Sequence, residues 1–271
     1  MNYNIKAESG VQLIARLNAR QPVAGLEEKL FSSGPRPKET IEIKGPPSTG
    51  KTLMLTQFIM KSILPVNYKK VPIGGLNVGV IFIETDSHFN ILKLVSLMER
   101  TIVSKMLQNK VSIQSKEVEE IIKSALNNLV LLSCHDSPQL FVTFHLLQSL
   151  LQEYSNVSLI LLDSIAAYYQ QDVKTGGIKK IDTYCRKVTQ ILQQCVRDYD
   201  VTVMYTKPSF FQSKNFSHEE ISAEPKVGKI NVKIELQNHE SEPQTFIAVI
   251  NNSSSVSQVK YKIGNGGIKW L

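Results

Sequence analysis

The 271-residue chain is poor in the residues that build disulfide scaffolds and metal clusters. Its three cysteines, Cys134, Cys185 and Cys195, make no even set and no paired ligand spacing, which argues against a disulfide framework and a structural zinc site. They read as reduced, half-buried core residues of an intracellular protein. No apolar run approaches the roughly 18 residues of a membrane span. Met1-Asn2-Tyr3-Asn4-Ile5-Lys6 lacks the apolar stretch of a signal peptide. His88, His135, His145, His218 and His239 show no ligand spacing, so none is given a catalytic role. Acidic side chains are the minority, 24 against 31 Lys and Arg, for a net charge of +7. That balance permits a polyanionic partner such as DNA, although the charge is dispersed. What remains, 42% hydrophobic and 20% charged, is the composition of a globular chain with a substantial core, of a size for one α/β domain.

The strongest positive signal is Gly45-Pro46-Pro47-Ser48-Thr49-Gly50-Lys51-Thr52, two glycines five apart followed by lysine and a hydroxyl residue. This is the phosphate-loop pattern. Thr40-Ile41-Glu42-Ile43-Lys44 alternates as a strand should, and residues 53–64 read as a helix. Strand, glycine loop and helix are the surroundings a phosphate needs, because it can then sit on free backbone N–H groups at the positive end of a helix. Lys51 is placed to reach the outer phosphates of ATP, and the Thr52 hydroxyl to hold Mg2+. Pro46 and Pro47 bring no N–H, so the cradle must come from Ser48, Thr49, Gly50, Lys51 and Thr52. A glycine turn that merely caps a helix is the alternative.

Further along, residues 77–83, 128–132, 157–162 and 201–205 read as strands, and residues 89–107, 116–126, 137–154 and 181–199 as helices. Near-continuous apolar strands alternating with helices imply a mostly parallel, twisted sheet with helices on both faces. The ligand then belongs at the carboxyl ends of the strands. Asp163 ends the apolar strand at 157–162, where it can orient magnesium through water opposite Thr52. Helix capping is its other reading. Residues 170–180 form a polar loop in which Lys174, Lys179 and Lys180 are candidates for phosphate contact with DNA, or ordinary solvated charge. Residues 209–226 mix Phe210, Phe211 and Phe216 with Lys214 and His218, which suits either stacking on single-stranded DNA or packing on a partner. Strands near 229–236, 245–251 and 259–263 read as β-hairpins finishing the sheet, with Asn265-Gly266-Gly267 as a turn.

Together these pieces resemble the P-loop ATPase core of the RecA-like recombinases, and in particular their eukaryotic paralogues. Ala7-Glu8-Ser9-Gly10-Val11-Gln12-Leu13 is similar to the family's lead-in. Leu159-Ile160-Leu161-Leu162-Asp163-Ser164-Ile165-Ala166-Ala167-Tyr168-Tyr169 resembles its second nucleotide motif, and Tyr261-Lys262-Ile263-Gly264-Asn265-Gly266-Gly267-Ile268 its closing strand and turn. The resemblance implies a nuclear protein of homologous-recombination repair that works in a paralogue complex and helps the main recombinase load on single-stranded DNA. It also implies one core domain over residues 1–271, with a short lead-in at 1–38 and no separate N-terminal helical domain. Such a chain is expected at the end of a row, beside a paralogue that does carry that domain.

Two departures from the family pattern bear on activity. Asp86 stands where hydrolysing members carry the glutamate that activates water, and it is the candidate catalytic residue. One methylene less leaves its carboxylate more than about 1 Å short, an error that can cost about 100-fold. Glu84, two residues earlier, lies on the same side of its strand. The fifth strand ends Thr206-Lys207-Pro208, without the glutamine that senses the outer phosphate in the family. The expectation is an adaptor that binds ATP with little turnover. A DNA-dependent strand-exchange ATPase is the alternative. A ring-forming AAA-type ATPase fits less well because Ser164, not glutamate, follows Asp163, and a small-molecule kinase would need an arginine-rich lid.

Overall fold

The computed structural model describes residues 9–11, 20–32, 34–209, 229–239, 242, 244–252 and 255–271. Most of the lead-in over residues 6–18, and the aromatic and lysine-bearing stretch beyond residue 209, lie outside the described residues.

Apolar runs become the buried strands β1 (Thr40–Gly45), β4 (Gly79–Glu84), β6 (Val157–Asp163) and β7 (Thr202–Pro208), with β5 (Leu129–Ser133) at the rim. Every residue of β6 is buried, as expected of a strand covered on both faces. The nine-stranded sheet runs β11-β10-β9-β8-β1-β7-β6-β4-β5, where β8 is Val232–Asn238, β9 Thr245–Asn252, β10 Val256–Gly264 and β11 Gly267–Trp270. β8 joins β1 in parallel, and the successive pairs β8–β9, β9–β10 and β10–β11 are antiparallel. The tail is thus more than added hairpins: its first strand extends the parallel half of the sheet.

Helices lie on both faces. α1 (Lys51–Ile63), α2 (Ile91–Gln108) and α3 (Ser115–Leu126) supply Phe58, Leu94 and Ile121 to one apolar cluster, into which β4 directs Val80 and Phe82. α4 (Ser137–Glu153) and α6 (Ile181–Val196) supply Phe144 and Leu192 to the other, which receives Ile81 and Ile83. The period-two alternation of β4 therefore feeds both cores. Two features differ from the sequence reading. A short β2–β3 pair (Asn67–Tyr68 and Val71–Pro72) decorates the loop after α1. Residues expected as loop include α5 (Tyr169–Lys174), held where Ser137 Oγ donates to Asp172 Oδ1 at 2.8 Å.

Two buried groups give measurable consequences. Arg20, 7% exposed, donates from Nη1 to the Tyr154 carbonyl at 2.8 Å and from Nη2 to that of Leu151, so it closes the C-terminal end of α4. Arg20→Ala strips both carbonyls of a charged donor and is expected to cost about 2 kcal/mol, read as a lower urea midpoint at unchanged slope. Cys134, Cys185 and Cys195 are free and buried, and burial pushes the Cys185 thiol up to about 11. Because the thiolate is the reactive form, all three are expected to resist iodoacetamide at pH 8 in the folded chain and to react on unfolding.

Candidate nucleotide-binding site

Parallel pairing brings the carboxyl ends of β1, β7, β6 and β4 to one edge, in the registers Gly45↔Pro208 and Glu84↔Asp163. The loop from Gly45 to Gly50 leaves β1 there and enters α1. Ser48 and Gly50 take left-handed conformations, φ 64° and 85°, which turn the chain tightly enough to start the helix. Three other helices carry side-chain caps: Asn90 accepts from Lys93 N–H, Asp136 from Gln139 N–H, and Gln114 forms a capping box with Glu117. α1 has no side-chain cap and no acidic residue in its first turn. Its N-terminal amides are thus arranged for an external anion.

The side chains around this end fit a magnesium nucleotide. Lys51 Nζ donates to the carbonyls of Gly45 (2.9 Å) and Pro46 (2.8 Å), which orients the ammonium over the loop and leaves one of its three protons. Burial pulls the Lys51 ammonium below its ordinary range, opposed by Asp163 and Asp86. Thr52 Oγ donates to Asp163 Oδ2 at 2.6 Å, so its oxygen lone pairs remain to ligate a cation. The second Asp163 oxygen accepts from Thr206 Oγ. With both oxygens engaged, Asp163 suits a metal-bound water better than the metal itself. Gly45, Ser48, Thr49, Gly50, Lys51, Thr52 and Asp163 are therefore brought together as the sequence suggested.

Asp86 lies just past β4, exposed as a residue but with its carboxyl turned in against Ser164. Ser164 Oγ donates to its Oδ2 at 3.1 Å. Glu84 accepts the Phe89 N–H at 2.8 Å. Pro208 is the last residue of β7, and that strand reaches the phosphate loop through main chain, Ser209 N–H to the Gly45 carbonyl at 3.1 Å. Lys174 ends α5, Lys180 precedes α6, and both, with Lys179, are exposed beyond β6 on the same edge, outside the phosphate cradle. Two contributors were missed from sequence. Thr206 had a signal, a hydroxyl ending an apolar strand. Tyr261, whose hydroxyl donates to the Thr49 carbonyl at 2.7 Å, had none, since 212 residues separate the pair. Among the described residues no cluster of His, Cys, Asp and Glu suits a metal by itself.

A phosphate loop on β1, a strand-end aspartate two strands away and a parallel sheet extended by antiparallel strands define a RecA-like P-loop ATPase core. No family model matches the chain. It is similar to mouse DNA repair protein XRCC2, at 34% identity over 211 residues, 76% of this chain and 70% of that protein. An Arabidopsis thaliana XRCC2 homolog is 24% identical over 68% of this chain and 58% of its own length. RAD51 homolog 3 of Cricetulus griseus is 27% identical over 50% and 37%. The chain belongs to the XRCC2 family of RecA-like recombinase paralogues, which bears out the resemblance drawn from its motifs.

Desolvation, with the neighbouring Asp163 carboxylate, raises the Asp86 carboxyl above its ordinary value of 3.8, against the Ser164 hydrogen bond, which lowers it. The folded chain then binds this proton more tightly than the unfolded one, so stability declines as pH rises from about that value through the raised one. Asp86→Asn is expected to remove the decline and to raise Tm at pH 7. An unchanged pH profile in differential scanning would show the carboxyl to be fully solvated.

Proposed function

We propose that the chain serves homologous-recombination repair in the nucleus as a paralogue subunit that binds Mg-ATP, hydrolyses it slowly, and supports recombinase loading on single-stranded DNA in complex with another paralogue. The observation that carries the nucleotide part is the Thr52–Asp163 hydrogen bond at the uncapped start of α1, with Lys51 folded over the loop. The amides of residues 48–52 and Lys51 would hold the phosphates, and Thr52, with Asp163 through water, the magnesium. When bound, that ion neutralises charge that develops on the phosphoryl oxygens.

Slow turnover follows from the two departures. Asp86 is a methylene short of the expected base and is drawn toward Ser164. Pro208 offers no polar side chain at the end of β7. Its similarity to a DNA repair protein supports the nuclear reading.

The partner reading rests on the sheet edge. Among the described residues β5 pairs only with β4, its Leu131 is 42% exposed, and α4 exposes Val142 and Leu146. An extended segment of a paralogue can add there as a further strand. DNA contact by Lys174, Lys179 and Lys180 belongs to the same proposal and rests on their exposure at the ligand edge.

The test is nucleotide occupancy of the purified chain, alone and with a paralogue. Retained, intact ATP in wild type and none in Lys51→Ala is the expected result. An empty wild-type loop would overturn the nucleotide reading. Asp86→Glu is expected to speed hydrolysis by roughly ten-fold or more, since it restores the reach of the base.

A further inference from the structure

The phosphate loop leans on the end of the chain. Tyr261, at the middle of the inward face of β10, is 0% exposed, and its hydroxyl donates to the Thr49 carbonyl at 2.7 Å. The peptide between Thr49 and Gly50 is planar and trans, so its carbonyl and its N–H point in opposite directions. A carbonyl drawn inward to Tyr261 sends the Gly50 N–H outward, to the mouth of the cradle. The other side of the same residue is also held, because Thr49 Oγ donates to the Pro46 carbonyl at 2.8 Å. With Pro46 and Pro47 contributing no N–H, each remaining amide carries a larger share of phosphate binding.

The hairpin that bears Tyr261 is itself tied to the helix that begins at the cradle. Gln57 of α1 accepts the Ile268 N–H at 2.8 Å and donates to the Ile268 carbonyl at 3.2 Å, so its amide pairs with β11 as a strand would. A Cβ on Gly50 would come within 2.8 Å of Ile263 Cδ1, so the hairpin also forms the wall behind the loop.

We infer that Tyr261 is a positioning residue of the phosphate loop, and that the β10–β11 hairpin sets the affinity for nucleotide phosphates by fixing the Thr49–Gly50 peptide. The inference rests on the nucleotide-binding reading above, and its test separates the two. Tyr261→Phe removes one hydroxyl and leaves the ring in place between Phe246 and Trp270. Tyr205→Phe is the matched control: it is also buried, at 1% exposure, and loses a hydrogen bond to Glu42 within β1 that does not touch the loop main chain.

Mg-ATP binding is measured by calorimetry, and amide hydrogen exchange at residues 48–52 by mass spectrometry or NMR, on wild type and both variants. The expected result is about ten-fold weaker Mg-ATP binding and faster exchange at Gly50 in Tyr261→Phe only. Equal affinities in wild type and Tyr261→Phe, or equal weakening in the control, would overturn the inference. A wild type that leaves Mg-ATP unbound would sink the nucleotide reading itself. The clamp is then decided by exchange alone, and an unaltered Gly50 amide in Tyr261→Phe overturns it.

Discussion

A carboxylate in a residue that is 6% exposed must be hydrogen-bonded or it destabilises the fold by several kcal/mol. Asp163 meets that demand by drawing three elements together. Thr52 of α1 reaches one oxygen, Thr206 of β7 the other, and the Thr85 N–H beyond β4 bonds the main-chain carbonyl at 2.9 Å. The phosphate loop is placed as a consequence, because α1 cannot tilt without breaking the Thr52 bond. What looks like a binding residue is also the joint on which the ligand edge is assembled.

The joint extends to Asp86. Thr85 Oγ donates to the Ser164 carbonyl at 3.0 Å and accepts the Ser164 N–H at 2.6 Å, and Ser164 Oγ then donates to Asp86. The candidate base is therefore held toward β6 by the residue next to Asp163. A longer side chain could reach past this tether; aspartate has no slack to do so.

The strands of the central sheet were legible because burial on both faces leaves an uninterrupted apolar run, as in Leu159-Ile160-Leu161-Leu162. The phosphate loop and Asp163 were legible because their chemistry depends on spacing and on strand ends. Other parts depend on partners far away in the chain. The parallel pairing of β8 with β1 is locked where Thr40 N–H donates to Asn231 Oδ1 at 2.9 Å, across 191 positions, and no local pattern encodes that contact. α5 carries a polar sequence, and Tyr169 Oη donating to the Lys179 carbonyl fixes the stretch that follows it. Strands of two to four residues, β2, β3 and β11, are too short for a periodicity to be read.

The two edges of the sheet differ in what they offer another strand. At one end β11 is the edge strand, and it carries the exposed Lys269. Edge lysines of this kind are a common guard against strand addition. That end is also committed inward, since β11 is bound to Gln57 and β10 to the phosphate loop. At the other end β5 presents Leu131 among half-exposed aliphatic neighbours, without charge in the strand. A strand added at β5 would cover apolar surface, whereas one added at β11 would meet a lysine.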